Sequence, residues 1–171
     1  RKDLNYQVLL PDVPESEIFE FTTFDCTSKL NSWKPPSVFC LYPLLKKGDF
    51  IHYGSGNLVA SPRATEIVRT FFEESGELLP LWYEGERYTL LNILECVNVL
   101  DTEKAKWLLD PNGSKVEIKE YSFYENRLPV APIFKIPETR YGDVLTYEID
   151  NCIQDEFKAF VEFHNLTGLL F

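Results

Sequence analysis

The 171-residue chain holds only two histidines, His52 and His164, and four scattered cysteines, Cys26, Cys40, Cys96 and Cys152. That scarcity narrows the chemistry. No cysteines form a Cys-x-x-Cys pair and no histidine lies near one in sequence, so neither a metal-ligand set nor a cofactor is expected. The cysteines have mostly apolar neighbours, which makes buried free thiols the default. A disulfide stays open for a secreted or periplasmic setting, but the spacing does not choose a pair. Gly54-Ser55-Gly56-Asn57 lacks the lysine and glycine spacing of a phosphate loop, and Ser55 lacks the Gly-x-Ser-x-Gly frame of a nucleophile elbow. Paired carboxylates such as Glu84 with Glu86 or Asp155 with Glu156 are abundant in any acidic chain and assign no acid–base role.

Long apolar runs are missing as well. None approaches a membrane span, and no basic start leads into an apolar core and a cleavage site. The expectation is a soluble cytoplasmic protein, with the periplasm as the alternative. The chain opens at Arg1 without methionine, which leaves its native start open. Basic residues are few: 17 Lys and Arg face 27 Asp and Glu, for a net charge of −10. A phosphate backbone is repelled by such a chain, so no nucleic-acid partner is expected and a basic protein is the better fit. The same charge also serves solubility.

What is present is core material. Hydrophobic residues make up 44% and aromatics 15%, enough for one domain to fold over residues 1–171 without a partner. Residues 1–37 read as less regular: a strand over Leu4–Leu10, then an aromatic-packed stretch with Phe19, Phe21, Phe24 and Trp33. From residue 38 onward the pattern is clearer. Strands are expected over Val38–Tyr42, Phe50–Tyr53 and Leu58–Ala60, and a hairpin over Leu78–Tyr83 and Arg87–Leu94 turning at Glu84-Gly85. Ser61-Pro62 opens a helix over about 61–75 with Ala64, Ile67, Val68, Phe71 and Phe72 on one face and Gly76 at its end. Asp101–Trp107 reads as a short helix, Asp110-Pro111-Asn112-Gly113 as a turn, and Lys115–Tyr124, Ile133–Ile136 and Leu145–Ile149 as strands. A C-terminal helix over about 152–164 carries Ile153, Phe157, Phe160, Val161 and His164 on one stripe. Gly168 stops it, and Leu169, Leu170 and Phe171 form an apolar end expected to be buried. The class is α+β with mostly antiparallel sheets.

Three stretches carry a family resemblance. They are Gly48-Asp49-Phe50 leading to Ser61-Pro62-Arg63; Ile133-Phe134-Lys135-Ile136-Pro137-Glu138; and Asp155-Glu156-Phe157-Lys158 followed by Leu166-Thr167-Gly168-Leu169-Leu170-Phe171. In this order they resemble a bacterial family of immunity proteins from polymorphic toxin and type VI secretion loci, formerly a domain of unknown function. The resemblance spans residues 38–171. It implies an α+β domain that neutralises a cognate secreted toxin by direct contact and is not an enzyme, with no catalytic residue carried over. Net acidity suits a basic toxin, a nuclease for example.

The acidic stretch Glu73, Glu74, Glu77, Glu84 and Glu86, with Tyr83, is the candidate partner-binding surface; Trp82 beside it reads as core. Two other classes stay in view. One is a hydrolase pairing His52 with a cysteine, which requires His52 in a cleft within reach of a thiol and a carboxylate. The other is a scaffold or regulatory module. His164, on the apolar stripe, reads as a core histidine.

Overall fold

The computed structural model describes residues 3, 5–54 and 57–171. Leu4 of the expected first strand, and Ser55 and Gly56 of the expected turn, lie outside the described residues. In chain order come β1 (Val8–Pro11), α1 (Ile18–Thr22), β2 (Val38–Cys40), β3 (Phe50–Tyr53), β4 (Asn57–Ala60), α2 (Pro62–Ser75), β5 (Gly76–Tyr83), β6 (Glu86–Ile93), β7 (Lys106–Leu109), β8 (Lys115–Glu120), β9 (Ile133–Phe134), β10 (Leu145–Thr146) and α3 (Phe157–Phe163). The fold is α+β, with a mid-chain and a C-terminal helix on a mostly antiparallel, curled sheet. Six strands run in the order β2-β1-β3-β4-β6-β5, and only β1 and β3 pair in parallel. The β7–β8 hairpin and the β9–β10 pair stand apart from this sheet.

Strand alternation sends side chains to two cores. Phe50, Leu58, Ala60, Leu91 and Ile93 point to one face and meet Ala64, Val68, Phe71 and Phe72 of α2 and Phe157 and Val161 of α3. Ile51, Tyr53, Val59, Leu79, Leu81, Tyr83, Tyr88 and Leu90 point to the other, covered by Phe24 with Trp33 packed against it. That second cover is hydrogen-bonded in place. Glu77 of β5 accepts from the Lys29 and Leu30 amides (2.8 and 3.2 Å) and from the Ser28 hydroxyl, and Trp33 Nε1 donates to the Pro80 carbonyl at 2.8 Å.

The local grammar of α2 holds. Ser61 Oγ accepts from the Ala64 amide at 3.1 Å, Pro62 takes the first helical position, and the Gly76 amide closes on the Phe72 carbonyl. Ser75 joins three segments: its hydroxyl donates to Phe71 O (2.7 Å) and accepts from the Ile133 amide (3.2 Å), and its carbonyl accepts from the Leu94 amide (3.1 Å).

The C-terminal segment is tied to the start of α2 through one carboxylate. Asp49 accepts from the Thr167 amide and hydroxyl, both at 2.9 Å, and from Arg63 at 2.6 Å. The Thr167 carbonyl in turn accepts from the Phe50 amide at 2.9 Å. Gly168 follows at φ 103°, so close to β3 that a Cβ there would lie 2.0 Å from the Phe50 carbonyl oxygen. Only glycine fits both the dihedral and the space.

Several expectations are corrected. The first strand runs over Val8–Pro11, and β8 and β10 are shorter than the sequence pattern. Asp101–Trp107 is not a helix: Asp101 accepts from the Glu103 and Lys104 amides (3.2 Å each), making a single turn, and Lys106 and Trp107 go into β7. The turn at Asp110 supplies β7 with a partner, since Asp110 accepts from the Asn112 and Ser114 amides at 2.9 and 2.8 Å. A hairpin ladder then satisfies backbone groups that a helix of about two turns would leave open. The terminal helix starts at Phe157 because Glu156, 2% exposed, turns back to accept from the Ile149 and Asp150 amides at 2.9 Å each. The preceding residues wrap that carboxylate. At the very end Leu169 packs on the core, but Leu170 and Phe171 are each 49% exposed, against the expectation of a fully buried end.

Two predictions test this framework. Gly168→Ala should destabilise the fold by about 2–4 kcal/mol in urea unfolding; a loss under about 0.5 kcal/mol would show that the close approach to Phe50 is not a constraint. Burial raises the Asp49 pKa, but hydrogen bonds from Thr167 and Arg63 outweigh it, and the net shift is downward. The contribution of Asp49 is therefore complete above its unfolded pKa of about 3.9 and is lost as pH falls from there through the folded value. The stability gap between the wild type and Asp49→Asn should stay constant from pH 7 to about 5 and shrink below about 4. A gap unchanged at pH 3 would contradict the clasp.

Candidate functional site

The expected acidic surface is not one patch. Glu84 and Gly85, at φ 50° and 80°, form the two-residue turn between β5 and β6, while Glu73 and Glu74 end α2. The eight residues of β5 separate the two groups, roughly 26 Å at about 3.3 Å per residue. Between them Glu77 is half-buried and its carboxylate is spent on Ser28, Lys29, Leu30 and Asn92. Burial raises its pKa and those hydrogen bonds lower it, with a net downward shift. Tyr83 is 7% exposed, packs on Tyr88 at 5.8 Å and donates to Gln7 at 3.2 Å, so its ring offers no surface. Trp82, expected in the core, is 56% exposed. Alternation puts it on the opposite face from Tyr83, on a β5 stretch that the helix layer does not cover.

The hairpin tip also carries its own cations. Lys47 Nζ sits 2.9 Å from Glu84 and 3.4 Å from Glu86, over the rings of Tyr83 and Tyr88, and Arg87 follows directly. Glu84, and then Tyr88, hold the Lys47 ammonium firmly protonated. At the far end Glu73 pairs with Arg69 at 3.6 Å. Of the six residues expected to bind a partner, Glu74 lines a concavity.

That concavity is an open cleft of about 890 Å³ between the C-terminal half of α2, the Val130–Pro132 segment and the start of α3. Phe71 and Phe160, with ring centroids 4.9 Å apart, lie on its apolar side with Ile67 and Pro132. Glu74, Glu95 and Asp155 line it, and among the described residues no salt bridge engages any of the three. The C-terminal end of α2 adds the negative pole of its dipole beside Glu74. Tyr147 registers the resulting field: its phenol pKa is raised first by burial and then by the charges of Asp155, Glu156 and Glu74. Chemically the cleft joins three carboxylates to an aromatic floor. Glu95 and Asp155 are far from Glu74 in sequence: Glu95 is singled out by no sequence signal, and Asp155 only as part of the resemblance stretch Asp155–Lys158, with nothing that ties either to Glu74.

On the other side of α3 a second cavity of about 630 Å³ is lined by His52, Asp143, Lys158 and the C-terminal Leu169, Leu170 and Phe171. Its polar groups are engaged in pairs: Tyr121 donates to Asp143 at 2.6 Å, and Lys158 to Glu148 at 2.6 Å. None of the four cysteines lines it. Cys40 packs with Leu9 and Tyr53 on the face opposite His52, and Cys152 donates to Gln154 and Asp155 at 3.5 and 3.3 Å. His164 is half-buried, with its ring 4.5 Å from Phe160 and 5.1 Å from Phe163. Among the described residues no group of three or more His, Cys, Asp or Glu is placed to hold a metal ion, and no helix is long and apolar enough to cross a membrane.

Neither the scan against protein-family models nor the search of curated proteins returns a match to this chain.

The reversal of Trp82 and Tyr83 is directly measurable. Tyr83→Ala should cost about 3 kcal/mol in chemical denaturation, as for an aromatic removed from a core, and Trp82→Ala less than about 1 kcal/mol. Equal losses would mean that Trp82 packs as a core residue.

Proposed function

We propose that this protein is an immunity protein that neutralises a basic protein toxin by docking it in the cleft lined by Glu74, Glu95 and Asp155. The observation that carries the reading is that cleft: three carboxylates without a salt-bridge partner among the described residues, around an aromatic floor, in a chain of net charge −10. Lysine and arginine side chains fit such a place twice over. Their charge meets the carboxylates, and their apolar stems or guanidinium planes lie on Phe71 and Phe160. Long-range attraction between an acidic domain and a basic toxin speeds capture, which is the property a neutralising protein needs most. The family resemblance of residues 38–171 points the same way, and two of its three stretches contribute Asp49, Arg63 and Thr167 to the clasp and Phe157 to α3.

The test begins with the protein expressed in its own cells and, as bait, the products of the genes on either side of its own. The wild type should co-purify with the toxin and protect cells expressing it. Glu74→Lys with Asp155→Lys should weaken binding at least about 30-fold, while Glu84→Lys with Glu86→Lys, at the self-neutralised hairpin tip, should change it less than about threefold. No co-purification and no protection would refute the neutralising role. Binding lost through the hairpin variant but kept by the cleft variant would move the surface.

A further inference from the structure

The segment Phe24–Thr27 is pinned at both ends, at one to the strand segment that follows β9 and at the other to β6 of the sheet it covers. Lys135 Nζ donates to the Phe24 carbonyl and Asn92 Nδ2 to the Thr27 carbonyl, each at 2.9 Å. The backbone of the same Lys135 ladders alongside Cys96: its amide donates to the Glu95 carbonyl at 2.9 Å, and its carbonyl accepts from the Val97 amide at 3.0 Å. One lysine therefore fixes both Cys26, two residues past Phe24, and Cys96, its neighbour on the ladder. Between the pins Cys26 takes φ 65°, and the Cys26 and Cys96 thiols are near enough for each to shift the other's titration. Both thiols are free and half-buried. The other two cysteines are placed differently, Cys40 against the second core and Cys152 at the turn before α3.

We infer that Cys26 and Cys96 form a disulfide-forming pair, a modification site that staples the Phe24–Trp33 cover to the segment after β6 when the chain meets a small-molecule disulfide such as oxidised glutathione. The exchange balances in two steps. The Cys96 thiolate attacks one sulfur of the oxidant and expels a glutathione thiolate; Cys26, deprotonated, then attacks the Cys96 sulfur of the mixed disulfide and expels the second. Two thiols are oxidised, one disulfide is reduced, and the two protons pass to the glutathione thiolates or water. Burial pushes the Cys26 thiol up to about 12 and raises Cys96 too, while the Lys135 ammonium pulls both the other way. Cys96 is therefore the first attacker, and the reaction is slow at neutral pH.

The test is peptide mapping of the full chain after exposure to oxidised glutathione from pH 7 to 9, with free thiols alkylated before denaturation and the digest run unreduced. The expected product is one dominant Cys26–Cys96 cross-link, formed about tenfold faster per pH unit, with Cys40 and Cys152 alkylated or untouched. Cys26→Ser should leave glutathione on Cys96 and no cross-link. The double variant Cys40→Ser with Cys152→Ser should give the cross-link in wild-type yield, so the result does not depend on Cys26→Ser folding. A cross-link through Cys40 or Cys152 in comparable yield, or no cross-link after prolonged exposure at pH 9, would overturn the assignment.

Discussion

The ring of Phe157 is the contact on which the arrangement of the two helices depends. It meets Phe71 at 5.7 Å, Phe50 at 6.1 Å, Phe171 at 6.2 Å and Phe72 at 6.3 Å, joining α3, α2, β3 and the chain end in one interlock. Edge-to-face packing of this kind adds geometric preference to the burial of large apolar surface. A seven-residue helix such as α3 is too short to hold its shape by propensity, so its position comes from this packing. The Asp49 carboxylate completes the arrangement by tying Thr167 to the start of α2. Both concavities follow from it, because α3 is their common wall: Phe157 faces one and Phe160 the other.

The distribution of charge then decides which surface is open for business with a cation. Most acids near a base are already matched: Glu84 and Glu86 by Lys47, Glu73 by Arg69, Glu148 by Lys158, Glu120 by Lys106. Others, Glu77 and Glu156, are consumed by backbone amides and hold loops in place. The net charge of −10 therefore overstates how many carboxylates are available, and location matters more than number. The Glu74, Glu95 and Asp155 group has no salt bridge among the described residues and lies on a concave aromatic surface, the kind of place where desolvated charge pairs contribute most to binding.

Much of the fold was readable from local signals with a mechanism. Ser61-Pro62 and Gly76 bounded α2 because capping and proline geometry act within one turn of the chain, and Glu84-Gly85 marked the hairpin because two positive φ values are needed there. The failures have a common cause in long-range partners. Asp101–Trp107 has a helical start, but the strand Lys115–Glu120 captures Lys106 and Trp107. Ile153 fits an apolar stripe, yet Glu156 turns inward for the Ile149 and Asp150 amides and moves the helix start. The candidate surface was read as a run of neighbouring acids, whereas β5 carries its two ends apart and the cleft gathers Glu95 and Asp155 from elsewhere. Trp82 and Tyr83 differ by one residue, and the two-residue period of the strand alone sends one to solvent and the other to the core.

The central claim, that the partner is held in the acidic cleft against α3, is tested most directly by hydrogen exchange on the protein bound to the basic toxin it is proposed to neutralise. The account predicts added protection in the C-terminal half of α2, in Val130–Pro132 and through the start of α3, with the Trp82–Arg87 tip exchanging as in the free protein. Protection confined to that tip or to the β2 edge, with the cleft unchanged, would contradict it.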